Sequence, residues 1–339
     1  MSSVNSKRSW KSWLPGVLIS AIIVFVLIRL VDFQTFVAAL RQTNFLYVFI
    51  AFCLMTLASL ARSAAWRELL DKKISLRDSF FIVNEGYLLN QVIPRSGEIG
   101  RAVLVNSVVE MNFFQALSSV VIERAIDLCV TALLFLTTIG RAVALDWIVP
   151  VAITILAVVL VVFILLFWAI KRRKKVEEWC DVREGKSEFF RKYISKNLKA
   201  ILNGADIIQK PAYFLRAVFW ILICWSLWIA VSYLLLASFV GEIPLWWAIF
   251  IQSILAFGIA LPSAPAGLGV FEGTLVAALA VFHIENEVAL SYAIVMHVVQ
   301  LLTIGVLGLV SLTIQGNSLR ALVVKVLDRL RVRRSEKGE

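Results

Sequence analysis

Residues 79–109 read SFFIVNEGYLLNQVIPRSGEIGRAVLVNSVV, an apolar stretch cut in its middle by Ile93-Pro94-Arg95-Ser96-Gly97-Glu98. Proline removes a helix donor and disfavours the helical region for the residue before it, so this run is not one straight helix. Each half has about 13 to 15 residues, and at about 1.5 Å per residue neither reaches across a hydrocarbon core of about 30 Å. Either the segment enters a membrane and returns on the same side, or it crosses once as a kinked helix. That choice sets the side of every later loop.

The charges decide between the two. Around the broken segment lie six uninterrupted apolar runs, 14–31, 45–65, 116–140, 148–170, 214–239 and 289–314, and a second broken one, 245–282, interrupted at LPSAPAGLG over 261–269. With a cytoplasmic N-terminus and each broken region returning to its own side, segments 1–13, 62–78, 171–213 and 315–339 are cytoplasmic. They hold 3, 5, 12 and 7 Lys or Arg, 27 of the chain's 34. The outer connections, around 32–44, 140–147, 238–244 and 283–288, hold only Arg41 and Arg141. A single crossing by 79–109 would put the run Lys171-Arg172-Arg173-Lys174-Lys175 outside, against the positive-inside rule. The expectation is therefore an all-α polytopic membrane protein of six spans and two broken re-entrant hairpins, with both termini, a 171–212 loop and a basic 315–339 tail in the cytoplasm. The hairpins enter from opposite sides, the pattern of an inverted repeat with a site near the midplane; two Pro-kinked helix pairs without a shared site are the plainer alternative.

Composition agrees. Of 339 residues 60% are hydrophobic and 17% charged, with mean hydropathy +0.86 and net charge +11; soluble domains hold about 45–50% apolar and about 25% charged residues. The basic residues sit in blocks between apolar runs, which fits topology and not a nucleic-acid surface. Cys53, Cys129, Cys180 and Cys224 form no CxxC pair, and His283 and His297 are the only histidines. HExxH, GxSxG and GxxxxGK[ST] are absent, so no zinc, acyl-transfer or nucleotide site is expected, and with them no enzyme activity and no cofactor. Trp10, Trp13, Trp66 and Trp168 fall at the inner interface and Trp147, Trp246 and Trp247 at the outer one, as anchors.

The chemistry-bearing residues lie inside the apolar runs. Glu123, Arg124 and Asp127 stand in the 116–140 span. Three charges at a helix centre cost about 7–10 kcal/mol on insertion scales, against about 4–7 kcal/mol returned by a dozen large apolar residues. That side of the helix cannot face lipid. Arg124 and Asp127 are spaced i,i+3 for partial internal pairing. The group is then either a buried ionic clamp for helix packing or the polar wall of a headgroup path. In the first hairpin Asn90 precedes the break, and Arg95, Glu98 and Arg101 follow it. Ser96 is a plausible N-cap for a half-helix starting at Gly97, whose free N–H groups with Arg95 and Arg101 suit a phosphate. The blander expectation is that Glu98 and Arg101 pair i,i+3 on one helix and hold the hairpin together, a role compatible with the first. In the second hairpin Gly267 and Gly269 keep the backbone bare, for close packing or for a ligand, and Glu272 is its first charge. His297 and Gln300 share a face of the last span, as interhelical hydrogen bonders or as a proton relay.

Three stretches together resemble the lysylphosphatidylglycerol synthase/flippase-like transmembrane family: GYLLNQVIPRSGEIGRA at 86–102, ERAID at 123–127 and PAGLGVFE at 265–272. The third commonly reads Pro-Gly-Gly in that family, and Ala266 departs from it. Members include the membrane half of bacterial enzymes that make and flip aminoacylated phosphatidylglycerol, and stand-alone proteins near glycolipid, polyprenyl-lipid or hopanoid pathways. The resemblance implies a cell-membrane location, the inner membrane in bacteria. No aminoacyltransferase or glycosyltransferase domain is evident, which implies lipid translocation without synthesis. The expected partner is a phospholipid or polyprenyl glycolipid, whose headgroup would cross through a polar cavity lined by Asn90, Arg95, Glu98, Arg101, Glu123, Arg124, Asp127, Gly267, Gly269 and Glu272. The competing expectation is a non-transporting scaffold that recruits an envelope glycosyltransferase or lipid synthase through the cytoplasmic loop and tail.

Overall fold

The computed structural model describes residues 44–94, 96–142, 196–316, 319 and 321–324, with isolated residues between 25 and 41 and between 150 and 172. The expected spans 14–31 and 148–170, Arg95, and most of the 171–212 loop and the tail therefore lie outside the described residues. Within them the chain is helical and contains no strand. Numbered in chain order, the helices are α1 (Phe45–Leu69), α2 (Leu76–Val92), α3 (Gly97–Leu104), α4 (Phe113–Ala142), α5 (Lys196–Ala205), α6 (Pro211–Val240), α7 (Leu245–Ile259), α8 (Val270–Ala280) and α9 (Asn286–Ile314).

By length and composition α1, α6 and α9 are each able to cross a membrane. Helix α4 is as long as α6, 30 residues, but carries the three charges. Local chemistry sets the boundaries. Asn44 Oδ1 accepts from the Leu46 N–H to start α1, Ser75 caps α2 through the Asp78 N–H, and Pro211 takes the first position of α6, where its missing donor costs nothing. Gly241, at φ 86°, ends α6 in a conformation that a side chain would resist.

Helices α1 and α6 form the most extensive pairing, with Ala58, Ala61 and Cys224 in a buried cluster between them. Small side chains let the backbones approach, the usual way helices associate where lipid offers no hydrophobic drive. Salt bridges close their ends: Arg216 Nε lies 3.1 Å from Glu68 Oε2, and Lys210 pairs with Asp71. The hydrogen bond that Lys210 donates to the Asp71 carboxylate holds its exposed ammonium above its ordinary range. Large apolar side chains, among them Phe49, Phe219, Leu302 and Leu309, point outward, a surface suited to acyl chains.

Both broken segments fold back on themselves. A Cβ on Gly97 would lie 2.2 Å from the Gly86 carbonyl oxygen, so α3 rests directly on α2 after the 93–96 reversal. The halves are unequal, 17 and 8 residues, where the sequence suggested similar lengths. In the second segment a Cβ on Gly258 would lie 2.3 Å from Thr274 Oγ1, so the Thr274 side chain of α8 fills the space beside Gly258 of α7. The turn at 265–267 also packs on α2.

The α2–α3 contact leaves no room for a methyl group. Gly97→Ala should lower stability by about 2–3 kcal/mol through overpacking. Gly140→Ala, with nothing within 4 Å of the added atom, should be neutral or stabilising by up to about 1 kcal/mol. Thermal unfolding of both variants in one detergent checks the contrast.

Candidate functional site

Glu123 has no exposed surface, and its carboxylate is met from three helices. Arg101 of α3 binds it in bidentate fashion, Nη1 to Oε1 at 3.0 Å and Nη2 to Oε2 at 2.7 Å. Arg62 of α1 places Nη1 3.6 Å from Oε1, and Arg124 of α4 donates to Oε1 at 3.0 Å. One turn along α4, Asp127 accepts from Arg62 Nη1 at 2.9 and 3.0 Å and from the Trp225 indole N–H of α6 at 3.0 Å. The i,i+3 pair with Arg124 is present at 3.2 Å. Four helices thus meet on two carboxylates.

Indole rings cover the guanidinium faces. The Arg101 Cζ lies 4.3 Å from the centre of the Trp66 ring and the Arg62 Cζ 5.1 Å from that of Trp228, placements that favour a cation. Trp66 is fixed in turn by its N–H donating to Ser119 Oγ at 3.0 Å. Close by, Ser59 of α1 donates to Asn84 Oδ1 of α2 at 2.8 Å. Arg62 Nε and Nη2 and Arg101 Nε are buried and donate to no described residue.

The cluster has a dry side and an open side. Arg62, Arg101 and Glu123 are buried, whereas the side chains of Arg124 and Glu98 are 39% and 32% exposed and lie 3.9 Å apart. A polar group arriving from outside therefore meets Arg124 and Glu98 first, with Asp127 behind them.

Several sequence expectations change here. Glu98, Arg101, Glu123, Arg124 and Asp127 do come together. Arg101, however, spends its guanidinium on Glu123 and not on Glu98, because a bidentate partner 22 positions away outcompetes a flexible one a turn away. Helix α3 does begin at Gly97, but Ser96 does not cap it. The Ser96 hydroxyl donates to the Ile93 carbonyl, and the Gly97 N–H goes to Asn90 Oδ1 at 2.6 Å. Asn90 is thus occupied in holding the break. Arg62 was counted among the cytoplasmic charges and Trp66 among the interfacial anchors; both have 0% exposure and belong to the cluster. The signal for Arg62 lay in its neighbours, Ser59, Ala61, Ser63, Ala64 and Ala65: a charge within a run of small residues sits where two helices pack closely.

Gly267, Gly269 and Glu272 lie in a second place, and no described hydrogen bond or ion pair joins Glu272 to the cluster. Gly267 and Gly269 have φ of 74° and 81°, and so need to be glycine. Glu272 Oε2 accepts from the Gly269 N–H at 2.7 Å, closing the first turn of α8. Its Oε1 lies 2.6 Å from His297 Nδ1 of α9, and His297 Nε2 lies 2.9 Å from the Ala266 carbonyl oxygen. Ala266 itself sits at φ 62°, in the left-handed region. No group of three or more His, Cys, Asp or Glu side chains is placed to hold a metal ion among the described residues.

Two paired broken helices around a charged α4 agree with the three motif stretches, and comparison of the whole chain decides the matter. Residues 13–308 match the lysylphosphatidylglycerol synthase TM region family. The chain belongs to this family. A UPF0104 membrane protein of Methanocaldococcus jannaschii is 24% identical over 322 residues, covering 88% of this chain and 93% of that protein. No solved structure matches the chain significantly.

Removing one member of a buried ion network leaves its partners uncompensated. Glu123→Gln should therefore cost about 3–5 kcal/mol, while Arg124→Gln, half-exposed, should cost about 1 kcal/mol or less. Melting temperatures in detergent separate the two. At the second place, Ala266→Gly removes a left-handed alanine worth about 1–2 kcal/mol and adds chain entropy worth about 0.5–1 kcal/mol, so a net gain of about 0.5–1 kcal/mol is expected in the same measurement.

Proposed function

We propose that this protein moves the headgroup of a membrane lipid between leaflets while its acyl chains stay in the bilayer, and that the Glu98–Arg124 mouth is where the headgroup enters. One observation carries the reading: a two-sided ion cluster inside an apolar helical chain, dry at Arg62, Arg101 and Glu123 and open at Arg124 and Glu98. The dry half is a packing clamp. The open half has the chemistry a desolvated headgroup requires, because a guanidinium held by carboxylates exchanges one anionic partner for another without leaving a bare charge.

The reading shifts the phosphate contact. Arg101 is committed to Glu123, so the phosphate oxygens meet Arg124, while Glu98 and Asp127 receive ammonium or hydroxyl groups. Arg62 Nε and Nη2, buried without a hydrogen-bond partner among the described residues, are further donors for a group that penetrates deeper. The membrane-domain family supports lipid handling in general. The energy source under this reading is an ion gradient or the lipid's own concentration difference.

Vesicles of phosphatidylcholine containing the purified protein and fluorescently labelled phosphatidylglycerol test this. Dithionite quenching should show leaflet exchange above that of protein-free vesicles, and Arg124→Gln should slow it by about tenfold, the worth of one charge-assisted hydrogen bond, with little change in melting temperature. Exchange equal to that of protein-free vesicles would turn the reading towards a scaffold that acts by recruiting an envelope enzyme.

A further inference from the structure

We propose that Glu272 and His297 form a proton-binding site whose occupancy holds or releases the 260–269 break, and that this proton is the ion coupled to lipid movement. The coupling rests on the lipid-translocating reading; the proton site does not.

A carbonyl oxygen only accepts hydrogen bonds, so at 2.9 Å from Ala266 the His297 Nε2 carries a proton and donates. Glu272 Oε2 is taken by the Gly269 N–H. The remaining contact, His297 Nδ1 to Glu272 Oε1 at 2.6 Å, joins two atoms that both accept when unprotonated, and therefore needs one proton between them. That proton sits on the imidazole, giving an ion pair, or on the carboxyl, giving a neutral pair. In both arrangements the two side chains together carry no net charge.

Losing the proton to water breaks a tie whichever tautomer results. If Nε2 keeps its hydrogen, the Nδ1 lone pair faces a carboxylate and the two repel. If the hydrogen moves to Nδ1, the Nε2 lone pair faces the Ala266 carbonyl. The imidazole then binds either Glu272 or Ala266, but not both. Ala266 is the residue held at φ 62°, a conformation that relaxes once its carbonyl is no longer held. Gly267 and Gly269 on either side of Leu268 give the turn freedom to do so.

The surroundings favour this role. His297 is 2% exposed and its ring stacks on Phe271, with ring centres 4.2 Å apart. The Glu272 side chain is 13% exposed, so the proton's way in and out is through the carboxyl. Of the elements packed against α8 and α9, α7 carries no titratable side chain, α2 carries Arg77, Asp78, Glu85 and Tyr87, α6 Tyr213, Arg216, Cys224 and Tyr233, α1 Tyr47, Cys53, Arg62, Arg67 and Glu68, and α9 itself Glu287 and Tyr292. None of these hydrogen-bonds or pairs with Glu272 or His297, so among the described residues the proton is set by the pair alone. The turn at 265–267 rests on α2, which also carries Asn84, bonded to Ser59 of the Arg62 helix.

Glu272→Gln separates the proton from the packing. A glutamine keeps an oxygen for the Gly269 N–H and offers an amide N–H to His297 Nδ1, so both ties hold with a neutral imidazole and no shared proton. Hydrogen–deuterium exchange of segment 260–273 is measured in the full-length purified protein from about pH 5 to about pH 9, a range that brackets the ordinary charge change of histidine, and corrected for intrinsic exchange. The unmodified protein should lose about tenfold in protection in a single one-proton step, the effect of one hydrogen bond lost. Glu272→Gln should stay protected throughout. Protection in the unmodified protein that is independent of pH would overturn the proton site without reference to any variant, as would an unchanged step in a folded Glu272→Gln protein. In vesicles, a transmembrane pH gradient should accelerate exchange of labelled phosphatidylglycerol in the unmodified protein and not in Glu272→Gln. A one-proton step with no lipid exchange at all would leave the proton site standing and remove the translocation reading.

Discussion

A carboxylate with no exposed surface, on a helix that otherwise reads as a membrane span, governs the arrangement of the charged half of this protein. Taking Glu123 out of water costs several kcal/mol, and so does burying each guanidinium that answers it. The cost is offset only if every partner arrives at hydrogen-bonding distance. Arg62 must come from α1, Arg101 from α3, and the faces of both cations are covered by Trp228 and Trp66. The register of α1 and α3 against α4 is therefore set by charge, where apolar packing alone would allow sliding. The constraint also accounts for α3, whose eight residues are too few to be a stable helix alone. It exists because Arg101 ties it to Glu123 and Gly97 seats it on Gly86.

What the sequence revealed follows from the range of each interaction. The helices α1, α6 and α9 lie where the apolar runs 45–65, 214–239 and 289–314 place them, since hydropathy is a local property. The charges of α4 announced themselves by their cost in such a run. Arg62 did not, because a single Arg at the end of an apolar run looks the same whether it meets headgroups or a buried carboxylate 65 positions away. Counting positive charges assigned it to the cytoplasm for that reason. The Glu98–Arg101 pair failed by the same logic in reverse: local spacing proposed a partner, and the tertiary fold provided a better one. The tie between Glu272 and His297, 25 positions apart, was out of reach of any local rule, although both residues had drawn notice singly.

The two breaks are built alike and differ in one respect. In each, the helix that follows the turn begins with an N–H bound to a side-chain oxygen: the Gly97 N–H to Asn90 and the Gly269 N–H to Glu272. Each turn is held in part by a side-chain contact where a soluble loop would rely on water. At the first break the oxygen belongs to an amide, which stays neutral at every pH, and the glycine contact between α2 and α3 leaves no slack. At the second it belongs to a carboxylate shared with an imidazole, and that imidazole can bind both Glu272 and the Ala266 carbonyl only while one proton is present between the pair. The first break is therefore a fixed part of the ion cluster, whereas the second has a chemical reason to open and close. If the protein has one moving hinge and one fixed wall, this difference in the capping group assigns the hinge to the 260–269 turn and the wall to α2, α3 and α4.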